Sequence, residues 1–578
     1  MAQIQALKLA VSLRDVAALL KFRARALSYI LYIKPLEAKY RSFEIAKRRG
    51  GHRKINAPSS DLMLLQRNLS DLLQDCVEEI NTTNRLKDQL AHGFKRGRSI
   101  IDNATRHRRK RWVLNIDLED FFGTINFGRV RGFFIKDRNF RLRPAVATIL
   151  AQIACHQNSL PQGSPCSPVI SNLIGHVLDI RLGRLAFDNG CMYSRYADDI
   201  TFSTNEPDFP STIAVPAQGQ AHRWEVGNRL GEAVRGAGFR VNPQKTRMQY
   251  RTSRQDVTGL VVNKKINVRS EYRRAVRAMA HRLFMTGKFD FVQLVSDEEG
   301  ILVPTQTEGS LEQLHGMLGH INRVDLYNLA RVAEAGHEQL GGGGRLGSKE
   351  NLYRRFLMFK EFYVAAQPVI LCEGKTDNVY IQCAIRKLGA AYPSLAESLP
   401  NGGVKLRVRI FRYPQTSTGR ILRLSGGTGE LGNFMREYVG ELDRFKAPGQ
   451  KNAVILVVDN DTGANSIFNV TKQITKHPQI KIQPFLRVRG NLHLVPTPLG
   501  PRGEDSIIED CFGNDVRNLV LGGKSFSSEN GFDPDKHFGK HVLSKYVEQN
   551  ADRLDFRGFA PLLDRIASAI EAHKEVAV

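Results

Sequence analysis

The chain has 578 residues, with 42% hydrophobic and 25% charged side chains, values typical of a soluble globular protein. This length exceeds what one hydrophobic core organises, so several domains are expected. The 84 Lys and Arg against 58 Asp and Glu give a formal charge of +26, and a cationic cluster at 106–111 favours a polyanionic partner such as nucleic acid. The seven cysteines are odd in number and include no Cys-x-x-Cys pair, which excludes a zinc ribbon or a disulfide framework.

The first thirty residues lead us to expect no secretory signal. Five basic residues (Lys8, Arg14, Lys21, Arg23 and Arg25) interrupt the first thirty positions, so a secretory apolar region is excluded. No apolar stretch reaches membrane-spanning length. We therefore expect a cytoplasmic protein without a membrane partner.

The first half of the chain alternates helical and extended patterns. Amphipathic helices are expected up to about residue 90, and a strand at 112–116 leads directly into Asp117. The pattern then predicts a helix over about 129–157, a helix from about Ser167, a hairpin at 191–203, a polar, proline-bearing insert at about 204–221 and Arg-rich helices over about 270–335.

The only glycine tract, Gly341–Gly344, indicates the end of a domain and a flexible connector. Beyond it the pattern alternates between strands and helices. Strands at 368–372, 407–411 and 453–458 separated by helical segments predict a parallel α/β domain.

Asp117 follows a predicted strand, and Asp198-Asp199 lie in the turn of a predicted hairpin. Nucleotide addition needs two metal ions roughly 3.5–4 Å apart to hold the attacking and leaving oxygens, and aspartates must converge on those ions. These three side chains can converge if their strands are neighbours. The sequence therefore predicts a polymerase centre.

Four blocks in this region resemble the palm of reverse transcriptases in both spelling and order. The resemblance implies that Asp117 and Asp198 bind metal, that Asp199 completes the triad, and that Phe122 lies under the incoming sugar. It also implies that Gln162 and Gly163 contact nucleotide and template, that Lys245 donates a proton to pyrophosphate, and that Lys47 and Arg53 contact the triphosphate. The blocks are 117–122 (Asp-Leu-Glu-Asp-Phe-Phe), 160–165 (Leu-Pro-Gln-Gly-Ser-Pro), 196–199 (Tyr-Ala-Asp-Asp) and 238–246 (Gly-Phe-Arg-Val-Asn-Pro-Gln-Lys-Thr).

Two more blocks resemble the bacterial retron group: 103–107 (Asn-Ala-Thr-Arg-His) and 257–259 (Val-Thr-Gly). Retron enzymes prime from a 2′-hydroxyl of a guanosine in a structured RNA and retain the branched RNA–DNA product, called msDNA. The resemblance implies that the cognate noncoding RNA, its msDNA and deoxynucleoside triphosphates are the partners. The residues predicted to contact RNA are Asn103, His107, Arg273, Arg274 and Arg277, the last three on one basic helix face.

A second acidic cluster lies in the α/β half. Glu373 follows one strand, and Asp459 and Asp461 follow another and share a face, so that they could hold one cation with Glu373 opposite. This arrangement resembles the Toprim domain of topoisomerases, primases and the overcoming-lysogenization-defect nucleases. The resemblance implies that Glu509 joins the metal ligands and that Lys540 is catalytic. The GxGxxG spelling at 427–432 is a decoy for dinucleotide binding, because it does not open a βαβ unit.

The resulting prediction is an α+β right-hand polymerase with fingers, palm and thumb, followed by an α/β Toprim domain with a mostly parallel sheet. It makes the chain a retron-type RNA-directed DNA polymerase joined to a nuclease effector in anti-phage defence. Mg²⁺ or Mn²⁺ is the expected cofactor, with two ions in the polymerase site and one or two in the Toprim site. The predicted domains are 1–110 (N-terminal helices and fingers), 111–260 (palm), 261–340 (thumb), 341–360 (linker) and 361–578 (Toprim).

Two alternatives stay open from the sequence. The chain could be a mobile-element reverse transcriptase whose last domain nicks DNA, or a reverse transcriptase whose Toprim domain is a non-catalytic scaffold. The nuclease substrate, whether tRNA, other RNA or DNA, and the oligomeric state, including a homo-oligomer, are also open.

Overall fold

The structure is a computed structural model that describes residues 2–46, 51–86, 89–296, 302–334, 347–413, 417–528 and 531–577. Lys47 and the Gly341–Gly344 tract lie outside these ranges. The chain divides into two compact units, which are described separately. The first comprises 1–273, 292–305 and 324–340, and the second comprises 274–291, 306–323 and 341–578.

The N-terminal part of the first unit is helical with one hairpin. Helix α5 is amphipathic: Leu62, Leu65, Leu69 and Leu73 recur at helical spacing and are buried. The hairpin is antiparallel and pairs Tyr40 with Pro58. The elements are α1 (Gln3–Leu9), α2 (Leu13–Leu19), α3 (Ala24–Ser28), α4 (Leu36–Lys39), β1 (Tyr40–Ala46), β2 (His52–Pro58), α5 (Ser60–Thr83) and α6 (Ile100–Thr105).

An antiparallel sheet is the centre of the first unit, with strand order β4-β5-β3-β8. Leu114 and Ile116 of β3 are buried in the core with the neighbouring helices, so the alternate residues Asn115 and Asp117 take the other face. The elements are β3 (Trp112–Leu118), α7 (Phe127–Lys136), α8 (Pro144–Ala154), α9 (Ser167–Asp188), β4 (Met192–Tyr196), β5 (Asp199–Thr204), β6 (Ala214–Ala217), β7 (Gln220–Val226), α10 (Asn228–Gly236) and β8 (Val241–Tyr250).

Two predicted segments differ from the structure. The helix expected over 129–157 is two helices, because the Asp137 carboxylate accepts the N–H groups of Asn139 and Phe140 at 2.9 and 3.2 Å, and α8 then begins at Pro144. The insert expected at 204–221 contributes to a hairpin, β6–β7. That hairpin is anchored by Trp224, whose ring packs edge-on against Trp112 at 6.0 Å.

The segment predicted as the thumb, 261–340, is not one compact unit. Its residues 274–291 and 306–323 belong to the second unit, because Phe284 packs against Phe359 and Phe445 at 5.5 and 5.4 Å. A pair of strands also interrupts the expected Arg-rich helices. The elements are β9 (Asp256–Val257), β10 (Leu260–Val261), α11 (Ser270–Thr286), β11 (Asp290–Ser296), β12 (Leu302–Glu308) and α12 (Leu311–Glu334).

The second unit is built on a sheet of order β16-β13-β17-β19-β18, in which the first four strands are parallel and β18 is an antiparallel edge. A helix also occupies most of the predicted linker 341–360, because Tyr353, Phe356 and Leu357 are buried on one helical face. The elements are α13 (Ser348–Met358), β13 (Val369–Cys372), α14 (Lys375–Leu388), β14 (Ala396–Ser398), β15 (Val404–Leu406), β16 (Arg409–Ile410), α15 (Ser417–Leu422), α16 (Thr428–Leu442), β17 (Val454–Val458), α17 (Asn465–Thr475), β18 (Leu486–Arg489), β19 (Leu492–Pro496), α18 (Asn514–Arg517), β20 (Val520–Leu521), β21 (Lys524–Phe526), β22 (His537–Phe538), α19 (Lys540–Asn550) and α20 (Ala560–Ala577).

All residues of β13 and β17 are buried, as expected for strands covered on both faces. The acidic residues that follow these strands therefore leave the core at one edge of the sheet. Among the helices of the described ranges, none is both long enough and apolar enough to cross a membrane.

Candidate functional site

The first acidic centre forms where β3 lies between β5 and β8. Asp117 pairs directly with Asp199 across β3 and β5, and the Leu118 N–H donates to the Asp198 carbonyl at 3.0 Å. Directly paired residues of antiparallel strands have their Cβ atoms about 5 Å apart. The fold therefore brings Asp117 together with Asp198 and Asp199, which lie about eighty residues later in the chain.

The turn between β4 and β5 holds Asp198 in a constrained backbone. Ala197, which precedes Asp198, has φ of 57°, in the left-handed region that residues with a Cβ rarely adopt. Gly93 packs directly against this turn, since a Cβ added at Gly93 would lie 2.6 Å from the Ala197 nitrogen. Only glycine permits this approach, which accounts for the glycine at that position.

The electrostatics of the centre favour a cation. Burial, and then the Asp117 carboxylate, raise the pKa of Asp198. Desolvation and the charges of Asp198 and Asp117 raise the pKa of Asp199 to about 6. This shift occurs although part of Asp199 is exposed to solvent. The Lys245 ammonium donates to both Asp117 oxygens at 2.8 and 2.9 Å and offsets part of this repulsion.

Of the residues predicted to bind nucleotide, those that the structure describes lie near the same end of the sheet. The half-buried Phe122 ring lies 6.2 Å from Phe94, which lies 6.5 Å from Tyr196. The Gln162 carbonyl accepts the N–H of Asn56 on β2 at 2.8 Å, and a Cβ at Gly163 would lie 2.7 Å from the Asn56 carbonyl oxygen. This contact places the hairpin β1–β2 beside the centre, with Arg53 exposed on β2.

A cavity of about 280 Å³ adjoins the aspartates on the same face of the sheet. Asn115 and Thr201 line this cavity, and the Thr201 hydroxyl donates to the Asn115 side-chain oxygen at 3.1 Å. The wall includes Asp117, Asp199, Lys245, Arg247, Asp256 and Arg269. A polar cavity next to paired carboxylates can hold the sugar and phosphate groups of a bound strand.

A buried ion pair supports the turn from behind. Arg195 of β4 is fully buried, and its guanidinium donates from Nε and Nη2 to the two oxygens of Asp179 on α9, each at 2.7 Å. The Tyr193 hydroxyl donates to the same carboxylate at 2.7 Å. This pair could not be predicted from the sequence, because Arg195 and Asp179 are sixteen residues apart and match no catalytic spacing.

Comparison with known proteins identifies this half of the molecule. Residues 45–268 match the family of reverse transcriptases, RNA-dependent DNA polymerases. The chain is 34% identical over 311 residues to the retron Mx162 reverse transcriptase of Myxococcus xanthus, covering 50% of this chain and 58% of that protein. It is 31% identical over 276 residues to the retron Ec86 reverse transcriptase of Escherichia coli, covering 47% of this chain and 78% of that protein.

The chain belongs to the family of retron reverse transcriptases. It spans less than two thirds of the length of the Mx162 relative, and the family match ends at residue 268. Among solved structures, a telomerase of Candida albicans aligns at 10% identity with a TM-score of 0.32, over 55% of this chain and 63% of that chain. A likeness of that size carries no argument.

The structure corrects two residues of the retron-like block at 103–107. Asn103 and His107, predicted to contact RNA, are 1% and 0% exposed. His107 joins the two strands of the hairpin β4–β5, with Nε2 2.7 Å from the Ser194 hydroxyl and Nδ1 2.7 Å from the Ser203 hydroxyl. The block therefore supports the hairpin from inside the protein.

The three arginines predicted to contact RNA lie on α11. Arg274 and Arg277 are exposed, and Arg273 is half-buried. Their positions stay compatible with contact to a polyanion. They belong to different units, since Arg273 ends the first segment of the first unit and Arg274 begins the first segment of the second unit.

His107 gives an acid-sensitivity prediction for this retron-family palm. Burial lowers the pKa of His107 to about 3, against about 6.5 in an unfolded chain, so protons favour the unfolded state as the pH falls below 6.5. Between pH 7.5 and 5 this costs about 2 kcal/mol, which His107→Gln should remove. Urea unfolding followed by tryptophan fluorescence measures it, because Trp112 and Trp224 are the only tryptophans and both report on the palm. Equal pH dependence in both proteins would contradict the prediction.

The second acidic centre forms at the carboxyl ends of the adjacent parallel strands β13 and β17. The N–H of Asp459 donates to Glu373 Oε2 at 3.4 Å, and Asp459 Oδ1 accepts the N–H of Ile508 at 2.8 Å. Asp461 lies in the following loop, where its carboxylate accepts the N–H of Ala464 at 3.1 Å. The predicted trio thus surrounds one edge of the sheet.

Further charged residues complete this centre. Glu509 is 2% exposed and accepts the Lys540 ammonium at 3.0 Å, while its other carboxylate oxygen is buried without a partner. Asp377, which the sequence analysis missed, is 5% exposed in the first turn of α14, where its carboxylate accepts the Gly374 N–H at 2.6 Å. The sequence offered a signal for Asp377, because it is an acidic residue only four positions after Glu373.

Burial and crowding of like charges dominate the electrostatics here. Burial raises the pKa of Glu373 to about 7, with Asp377 and Asp461 adding to the effect. Burial, with Asp377 and Glu373 next, raises the pKa of Asp459 to about 8. A set of buried carboxylates that resists ionisation in this way favours binding of a hard divalent cation.

The glycine-rich segment at 427–432 belongs to this edge. Gly427, with φ of 101°, donates its N–H to the Glu373 carbonyl at 2.8 Å, and α16 begins at Thr428. The Thr428 hydroxyl donates to the Gly463 carbonyl at 3.1 Å. The segment thus links the two acidic loops.

Neither centre is arranged as a finished metal site. Within the described ranges, no three His, Cys, Asp or Glu side chains are gathered closely enough to hold an ion as they stand. The Lys245 ammonium forms an ion pair with Asp117, and the Lys540 ammonium forms one with Glu509. Each ion pair neutralises one carboxylate of its centre. Binding of Mg²⁺ at either centre therefore requires carboxylates to turn and an ammonium to move. The all-oxygen donor sets fit that ion.

Proposed function

We propose that the chain is a retron-type RNA-directed DNA polymerase that makes and retains a branched msDNA, joined to a Mg²⁺-dependent Toprim nuclease. The observation that carries the polymerase part is the meeting of Asp117, Asp198 and Asp199 on neighbouring strands in a retron-family chain. The nuclease part rests on the acidic residues at the carboxyl edge of a mainly parallel sheet.

The polymerase residues divide the work of nucleotide addition. Asp117, Asp198 and Asp199 would hold two Mg²⁺ or Mn²⁺ ions, which steady the attacking and leaving oxygens when bound. Phe122 lies under the deoxyribose and excludes a 2′-hydroxyl. The Lys245 ammonium donates to Asp117 in this structure. When substrate binds, it leaves Asp117, pairs with the triphosphate and donates a proton to the leaving pyrophosphate.

Substrate contacts come from the surrounding elements. Gln162 and Gly163 position nucleotide and template beside β2, and Arg53 and Lys47 of the fingers contact the triphosphate. The net charge of +26 suits a polyanionic partner, here a structured noncoding RNA and its msDNA. Arg273, Arg274 and Arg277 form the RNA-reading face of α11.

The nuclease residues form a Toprim-like centre. Glu373, Asp459, Asp461 and Glu509 would hold one or two Mg²⁺ ions, which activate water and stabilise the leaving oxygen when bound. Lys540 is placed to pair with phosphate oxygens or the departing group. The chemistry serves any phosphodiester, so the substrate class is nucleic acid, either RNA including tRNA or DNA.

We propose further that bound msDNA restrains the nuclease until infection damages it, as an anti-phage defence. The second unit supports this coupling: α11 exposes Arg274 and Arg277, and its end packs through Phe284 against Phe359 and Phe445. One helix would therefore connect the nucleic-acid face with the core of the nuclease unit.

Loss of msDNA should change the activity of the nuclease. In cells carrying the native locus, Asp198→Ala removes the restraining product, so nuclease activity should become unregulated or fall to zero. Growth after induction and cleavage of cellular RNA and DNA are the measurements. Toxicity and cleavage equal to those of the wild type would contradict the restraint.

The two alternatives make different predictions about the locus. A mobile-element enzyme would lie within an intron or transposon boundary, whereas a retron has a short inverted-repeat noncoding RNA beside its gene. A non-catalytic Toprim scaffold would bind a partner without cleaving nucleic acid. The retention of acidic Glu373, Asp459 and Asp461 favours the catalytic form.

The decisive experiment is to purify the protein from its native locus and sequence the attached nucleic acid. The proposal expects one branched RNA–DNA molecule whose RNA is encoded beside the gene, and none with Asp198→Ala. Co-purification of unrelated transcripts, with no covalent DNA, would overturn it.

A further inference from the structure

Arg195 of β4 connects α9 to the turn that precedes Asp198. Besides its two bonds to Asp179 of α9, its Nη1 donates to the carbonyl of Ala197 at 3.0 Å and to Asn172 Oδ1 at 3.3 Å. Asn172, also on α9, donates to the Gly93 carbonyl at 2.7 Å. The guanidinium thus ties α9 to the backbone immediately before Asp198.

The surrounding side chains and helix α9 pack closely around the Arg195 guanidinium and restrict its position. Arg195 is 0% exposed and Asp179 is 1% exposed, and the Phe121 ring lies 5.7 Å from the guanidinium carbon. A Cβ added at Gly175 of α9 would lie 2.8 Å from Nη2, so the helix carries glycine where the arginine passes. Charges this deeply buried are retained only where every partner is in place.

We propose that Arg195 and Asp179 are positioning residues for the polymerase reaction, because together they fix the Ala197 carbonyl and hence the direction in which Asp198 leaves the turn. The backbone of Ala197 is in the left-handed region and needs a partner to hold it there. Neither side chain touches substrate. The inference rests on the proposed polymerase function and adds to it the device that orients its metal ligand.

The first test is an isosteric change in the carboxylate. Asp179→Asn keeps the shape and one acceptor but presents an amide N–H₂ to the guanidinium, so Arg195 tilts and the Ala197 carbonyl loses its donor. DNA synthesis should fall about 10- to 100-fold in kcat, the effect of a misplacement of about 1 Å, with KM for deoxynucleotides within about twofold. Arg195→Lys, which keeps the charge but not the fork, should behave alike.

A matched control separates positioning from the general loss of an ion pair. Asp75→Asn removes an exposed carboxylate that pairs with Arg96 in the same unit, and it should leave kcat unchanged. A kcat within twofold of the wild type in both Asp179→Asn and Arg195→Lys would overturn the proposal.

A second variant covers the case in which the single changes prevent folding. The triple change Tyr193→Phe, Asp179→Leu and Arg195→Met replaces the whole buried network by apolar groups, which preserves a folded core. It should match the wild type in the tryptophan-monitored unfolding of the palm and still show reduced kcat. Recovery of full activity in the triple variant would show that the pair only stabilises the fold, which overturns the positioning role.

Metal binding gives a readout that does not require polymerisation. In a Glu373→Gln, Asp459→Asn background, titration with Mn²⁺ should show binding to the first unit that is about 10-fold weaker or more when Asp179→Asn is added. Unchanged Mn²⁺ affinity would overturn the proposal. An inactive wild type with its affinity lowered by Asp179→Asn would instead refute the polymerase function and keep the positioning role.

Discussion

Asp198→Asn should lower RNA-directed DNA synthesis by at least about 10³-fold, equivalent to about 4 kcal/mol of transition-state stabilisation. The amide keeps the size of the side chain but removes the charge that would hold Mg²⁺ beside Asp117. Incorporation of radiolabelled deoxynucleotides on the cognate RNA measures the loss. The RNA affinity should stay the same, because Asp198 lies in the turn and not on a basic face.

Stability should move in the other direction. Burial, and after it the Asp117 carboxylate, raise the pKa of Asp198, so ionised Asp198 is both desolvated and repelled by its neighbour in the metal-free protein. Removing that charge should leave the urea stability of the palm unchanged or slightly higher. A site that costs stability while supporting chemistry is the expected signature of a catalytic carboxylate.

The control is Asp208→Asn, which changes an exposed acid of the same unit and should affect neither activity nor stability. Retention of more than about a tenth of the wild-type rate in Asp198→Asn would remove Asp198 from the metal ligands. A loss that tracks unfolding of the palm would point to structure instead of chemistry.

The sequence predicted the elements that depend on local pattern. The strand running into Asp117, the hairpin around Asp198-Asp199 and the strands before Glu373 and Asp459 all lie where alternation and flanking turn residues placed them. The acids also converge for topological reasons. The parallel strands β13 and β17 end at one sheet edge, whereas in the antiparallel sheet the end of β3 lies beside the start of β5. The carboxylates were therefore accessible to sequence reasoning.

The same reasoning failed where burial decides the role. Asn103 and His107 belong to the block at 103–107 that resembles the retron group, and that resemblance implied contact with RNA. In the structure they are buried, because tertiary packing turns His107 toward the serines of β4 and β5. A motif spelling reports that a residue matters without reporting which way its side chain faces.

Residues that act through another residue were also missed. Asp179 looks like a polar position on α9 until the fold places Arg195 against it, and nothing in their spacing shows the contact. The helix expected over 129–157 is interrupted at 137–143. This break depends on one side chain, the Asp137 carboxylate, which accepts the backbone N–H of Asn139. The assignment of 274–291 to the second unit depended on Phe284, whose aromatic partners come much later in the chain.

Glu373→Gln should abolish nuclease activity and leave DNA synthesis within about twofold of the wild type. Glu373 accepts the N–H of Asp459 and shares its sheet edge, so loss of its charge removes one of the oxygens that would hold Mg²⁺. The polymerase aspartates belong to the other compact unit and keep their partners. Cleavage of RNA and DNA substrates in Mg²⁺ should fall at least about 10³-fold, and toxicity on expression should disappear.

Binding of the cation supplies a second measurement. Burial and like charges raise the pKa of Glu373 to about 7 and that of Asp459 to about 8, so a bound divalent ion should relieve repulsion and stabilise the second unit. At an Mg²⁺ concentration 100 times its Kd the gain is about 2.7 kcal/mol. Hydrogen exchange of the β13 and β17 amides should slow accordingly in the wild type and not in Glu373→Gln.

Asp555→Asn is the matched control, since it alters an exposed acid of the same unit that pairs with exposed Arg557. It should change neither cleavage nor the response to Mg²⁺. If Glu373→Gln kept full toxicity while still losing the Mg²⁺-dependent protection, the second unit would act by recruiting a partner and the scaffold alternative would replace the nuclease. If protection and cleavage both survived, Glu373 would not be a ligand, and the acidic edge formed by Asp377, Asp459 and Glu509 would have to hold the ion without it.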